Sequence, residues 1–78
     1  PAPTQQLQAA EAAISVAEKA RVADYASPEL GEARDNLTAA RAAVQAEKME
    51  LASRLAESSQ ANAQLATAKA EAAKATSL

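Results

Sequence analysis

Carboxylates are the most abundant chemically capable side chains in this 78-residue sequence, with eight Glu and two Asp against four Lys and four Arg. There is no His, Cys, Trp or Phe, and one Tyr. The usual proton shuttle, the thiolate nucleophile and the ligands that select zinc or copper are therefore missing. The acids are scattered, with no Gly-rich loop beside them, so they read as solvated helix faces rather than as general acids or bases. Glu29, Glu32 and Asp35 form one local group, but calcium needs oxygen ligands clustered on a loop. Acids at this spacing fit the early turns of a helix, where they oppose the macrodipole. Glu50 and Arg54 stand in the favourable i, i+4 order and support a helix by about 0.3–0.5 kcal/mol. The residues predict a non-catalytic protein with no metal and no cofactor.

The elements that carry these side chains follow from composition. Ala, Glu, Leu, Lys and Arg make up 48 of the 78 residues, 25 of them Ala, which is the signature of long helices and coiled coils. Leu, Ile and Val number only 11, so a thick core is excluded, while a single Gly and a net charge of −2 argue against a disordered tail. Basic residues alternate with acids, leaving no footprint for nucleic acid. No stretch is apolar enough to span a bilayer. A chain of this size buries only about 60% of its unfolded surface, so helix propensity must carry an unusual share of the stability.

Pro1-Ala2-Pro3 is expected to be a leader outside the fold, with residues 4–78 as one helical domain. Thr4 is the predicted N-cap of a first helix near residues 4–24, in which Leu7, Ala10, Ile14 and Ala17 form a narrow apolar stripe. Tyr25-Ala26-Ser27-Pro28-Glu29-Leu30 then punctuates the chain. The residue before a proline is pushed out of the helical region, and proline suits the first helical position. Ser27 is the predicted cap, with a turn at Ala26–Ser27, and Gly31 lies in the frayed start of the next helix. Tyr25 would plug the end of the bundle beside this turn.

From Leu30 the apolar spacing sharpens. Leu30, Ala33, Leu37, Ala40 and Val44 alternate steps of three and four, and a seven-residue series continues through Leu51, Ser58, Leu65 and Ala72. Heptad continuity favours one unbroken helix. Length argues the opposite, since a helix from Pro28 to Thr76 would run about 73 Å and leave Leu51, Leu55 and Leu65 without a partner. The reading is an all-α, up-down-up three-helix bundle with helices near 4–24, 28–45 and 48–76. Leu7, Ile14, Leu30, Leu37, Val44, Leu51, Leu55 and Leu65 would supply most of its core. The alternative is a helical hairpin with one long second helix, a possible coiled-coil oligomer. The same stripe allows two further uses, a partner helix or, with mostly alanine and no basic excess, a weak lipid-surface contact. Tyr25, Leu51, Leu55 and Leu65 are the candidate interaction surface.

The Ala-rich first helix, the Tyr25-to-Leu30 run, Ala33, Leu37, Ala40 and Ala43, Leu51-Ala52-Ser53-Arg54-Leu55-Ala56-Glu57, and the closing Ala61, Ala63, Leu65-Ala66 and Ala68 together resemble a known family. It is the alanine-rich helical domain of unknown function found in small bacterial envelope lipoproteins, sometimes ahead of an outer-membrane-protein-A-like domain. Members often carry a glycine, aspartate, tyrosine turn before the third segment, where this chain has Glu47-Lys48-Met49. The resemblance implies a periplasmic, outer-membrane-anchored lipoprotein whose lipid-modified cysteine lies just before Pro1, with Pro1-Ala2-Pro3 as part of the tether. It implies a structural or protein-docking role, with an envelope protein or a second copy as partner and no membrane contact beyond the anchor. The competing class is a cytosolic helical adaptor or coiled-coil oligomerisation module.

Overall fold

A computed structural model describes residues 1–76. Three α-helices, α1 (Thr4–Lys19), α2 (Ala23–Gln45) and α3 (Met49–Thr76), run up, down and up in a rod of 48 × 18 × 15 Å. Cross-helix bonds set the directions. Glu11 pairs with Arg41, and Arg34 Nη2 donates to Glu18 at 2.8 Å, so α1 and α2 are antiparallel. Lys69 Nζ donates to Glu29 at 2.6 Å and Ser59 Oγ to the Ala33 carbonyl at 2.6 Å, so α2 and α3 are antiparallel as well. The alternative with one long second helix is excluded, because the chain reverses at Ala46–Lys48.

Both turns are built the same way. Arg21 and Glu47 have φ of 58° and 61°. In the first turn the Arg21 amide donates to Glu18 and the Val22 amide to Ala17; in the second, Glu47 donates to Val44 and Lys48 to Ala43. These are the paired 5→2 and 6→1 bonds of a Schellman motif, which uses up the last carbonyls of the preceding helix. A left-handed residue at this position is usually glycine, because a Cβ there crowds the following carbonyl at roughly 1–2 kcal/mol. Arg21 and Glu47 bear that strain.

The first boundary therefore differs from the prediction. Helix α1 ends at Lys19, not near residue 24, and α2 begins at Ala23. The predicted break survives as a kink inside α2: Ala26 has φ −142° and ψ 47°, while Ser27 and Pro28 are helical. Ala26 rather than Ser27 absorbs the steric demand of the proline, and no side chain caps this end. Thr4 is likewise the first helical residue, with Pro3 in the cap position; its hydroxyl donates to the Ala2 carbonyl at 3.5 Å instead of accepting a helix amide. At the second boundary the expected start of α3 at 48 is met within one residue.

The core also differs in kind. Ile14, Leu30 and Leu37 are buried as expected, and Leu7 packs against the cluster from its edge. In α3, however, the buried residues are Ala52, Ala56, Ser59, Ala63, Ala66 and Ala70. They recur at steps of four and three, one residue away from the predicted 51, 58, 65, 72 series, or about 100° around the helix. Leu51 and Leu65 remain 37% and 49% exposed, and Leu55 and Val44 are only partly buried. Large side chains of α1 and α2 meet small ones of α3, which is how facing layers interdigitate without voids. Heptad periodicity is right for each helix, but its phase shifts by one residue across the second turn.

Candidate functional site

Several polar side chains of the bundle pin helix to helix. Ser59 is the one fully buried polar residue among those described, and its hydroxyl is satisfied by Ala33. On the open side of the α2–α3 pair, Asn36 Nδ2 donates to Asn62 Oδ1 at 2.8 Å, and Asn62 Nδ2 reaches Glu32 at 3.4 Å. The Lys69 ammonium donating to Glu29, helped by the backbone amide of Glu29, holds that carboxyl below its ordinary range against a small cost of desolvation. No buried side-chain N or O among the described residues lacks a partner. The acids considered for a cation are thus engaged separately: Glu29 with Lys69, Glu32 with Asn62, and neither with Asp35. Among the described residues no group of three or more carboxylates is gathered to hold a metal ion.

The four residues of the candidate interaction surface do not form one patch. Tyr25 lies at the α1–α2 end of the rod, 47% exposed, with the Lys74 ammonium 5.9 Å from its ring centroid. The same ammonium donates to the Ala20 carbonyl at 2.6 Å, tying the end of α3 to the first turn. Tyr25 therefore covers the turn from outside, a cation–π partner rather than a plug. The plug is Val22, fully buried. Leu51 and Leu55 sit toward the opposite end of α3, about 35 and 29 Å from Lys74 along the helix, with Leu65 between. By helical spacing the three leucines fall on one flank of α3, with Ser58 and Asn62 between Leu55 and Leu65.

Two surface grooves were not foreseen. Ala13 and Val16 of α1 and Gln64 and Thr67 of α3 line one, with Val16 56% exposed. Leu7, Arg41, Ala42, Val44 and Gln45 line the other, between α1 and α2. Both are shallow seams where α1 meets the α2–α3 pair. The signal for Val16 was present in the spacing: it falls outside the 10, 14, 17 face of α1.

No helix among the described residues is long and apolar enough to cross a membrane. Neither a curated protein nor a solved structure matches the chain. A family model, described as domain of unknown function DUF4398, matches residues 5–77. That span takes in both turns and all three helices but for Thr4, and the chain belongs to this DUF4398 family.

Proposed function

We propose that this chain is a non-catalytic module of a bacterial envelope lipoprotein, a spacer and protein-docking scaffold held at the outer membrane by a lipid ahead of Pro1. One observation carries the reading. An odd number of helices in a rod 48 Å long sets Pro3 and Thr76 at opposite ends. An anchor before Pro1 would hold the second-turn end near the membrane and project the first turn, with Tyr25 and Lys74, away from it. The leader Pro1-Ala2-Pro3 suits a stiff exit from such an anchor. The exterior fits a scaffold, since three ion pairs tie helix to helix and its exposed large apolar side chains are few.

The test is the full-length gene product. Codons upstream of Pro1 should encode a signal peptide ending at a cysteine, and replacing that cysteine by serine should move the protein from the membrane pellet to the soluble periplasmic fraction. Upstream codons for an ordinary start or a cytosolic domain would overturn the envelope reading in favour of a cytosolic adaptor. For docking, capture from envelope extracts should fall when Leu51 and Leu55 are changed to Ser. Unchanged capture would move the contact to the polar faces.

A further inference from the structure

The two turns share a backbone motif but differ in what holds them. The first is anchored from both sides: Val22 is fully buried in the core cluster, and Lys74 of α3 donates to the Ala20 carbonyl. In the second, Ala46, Glu47 and Lys48 are all exposed, and only backbone bonds close it. The core beneath it is thin, because Ala40, Ala43, Ala52 and Ala56 are buried there but lie outside the main cluster. Ala46-Glu47-Lys48-Met49-Glu50 consists of strong helix formers with Glu47 forced into a left-handed conformation, so local propensity opposes the turn. A short strained hinge between elements that pack well on each other is the setting in which identical elements are exchanged between copies.

We infer that Ala46–Lys48 is a hinge through which two copies of this chain exchange α3, each α3 docking on the α1–α2 pair of the other copy. The register supports closure. The cross-helix pairs Ala33–Ser59, Asn36–Asn62 and Glu29–Lys69 have sequence midpoints at residues 46–49. Opening the hinge therefore lets each pair re-form between copies about a two-fold axis passing by Glu47, which ends assembly at the dimer rather than in a filament. The buried surface is the α3 seam of the monomer, so no new apolar patch is required.

Residues 1–78 contain no cysteine, so this segment gives a clean test. Asn36→Cys and Asn62→Cys chains are unfolded together, refolded at high concentration and oxidised. A disulfide-linked heterodimer is expected from the mixture and not from either variant alone, with a matching dimer peak in light scattering of the unmodified protein. Glu47→Gly, which relieves the strain only in the closed turn, should weaken dimerisation by roughly tenfold or more. Arg21→Gly, in a turn that both forms keep, should leave it unchanged. A chain that stays monomeric at millimolar concentration overturns the inference, and so do linkage in either single variant alone and a dimer insensitive to Glu47→Gly.

Discussion

The two ends of this bundle are closed by the same six-residue backbone motif and are stabilised differently. At the first-turn end, the residue after the left-handed position is Val22, which is buried and shares the core cluster with Leu30. At the second-turn end the equivalent residue is Lys48, which is exposed, and the buried side chains are alanines. A Schellman turn settles the carbonyls of the helix it ends, but a hydrophobic contact made by the following residue is what fixes it to the fold. Hydrogen bonding alone leaves a turn formed yet weakly anchored, since each such bond exchanges for one with water at a net gain of only about 0.5–1.5 kcal/mol.

The largest expected effect sets a leucine from each end against the other. Leu30→Ala, at the first-turn end, should cost about 2–4 kcal/mol, while Leu51→Ala, 37% exposed, should cost under about 1 kcal/mol. Urea unfolding followed by helical circular dichroism measures both, and equal losses would end the distinction between a thick and a thin end. Next comes the post-turn position itself. Val22→Ala removes about two methylenes from a filled site and should lose roughly 1–2 kcal/mol, whereas Lys48→Ala should stay within about 0.5 kcal/mol. A Lys48→Ala loss as large as that of Val22→Ala would mean the second turn has an anchor beyond its backbone bonds.

Glycine at the left-handed positions should stabilise, by up to about 1 kcal/mol for Glu47→Gly and for Arg21→Gly, because the Cβ strain at φ near 60° disappears. Gly31 offers the reverse exchange inside α2. A Cβ there meets no atom within 4 Å, so Gly31→Ala should gain about 0.5–1 kcal/mol of helix propensity. Thermal unfolding of the three variants ranks these gains, and a lower midpoint for Glu47→Gly would contradict the strained turn. The smallest effect concerns pH. The folded-state pKa of Glu29 is lowered, so its contribution is present above the ordinary glutamate value near 4.5 and is lost as pH falls through the lowered one. Glu29→Gln should therefore lose slightly less stability on acidification than the parent chain, and an identical acid limb in both would show that the Lys69 pair is fully screened.

Much of the architecture was legible in the residues. Alanine-rich composition with one Gly implied helix throughout, and the length argument against a 49-residue second helix favoured, over heptad continuity, a turn near Gln45–Lys48, where the chain does reverse. Pro28 marked a disturbance that appears as the kink at Ala26. The turn at Ala20–Val22 was not legible, because a left-handed arginine carries no glycine signal and because Val22 looked like the end of an apolar face. Of the candidate interaction residues, only Leu51, Leu55 and Leu65 share a flank. Tyr25 can be read from the sequence either as a plug beside the turn or as a surface residue; its ring is exposed, and the smaller Val22 fills the space at that end.

What the sequence determined by itself is local: helix formation, its heptad periodicity, and the lack of residues for zinc or thiol chemistry all depend on residue type and near spacing. Which face of α3 is buried was decided only by tertiary structure. Leucine gains more per residue on burial than alanine, so sequence reasoning puts Leu51 and Leu65 inside. In the folded rod, Leu30 and Leu37 of α2 and Ile14 of α1 already occupy the shared interior, and close approach of α3 leaves room for Ala63, Ala66 and Ala70 but not for a second set of leucines. Side-chain volume summed across three helices is a property of no single segment, and it turned α3 by one residue from the phase its own leucines suggest.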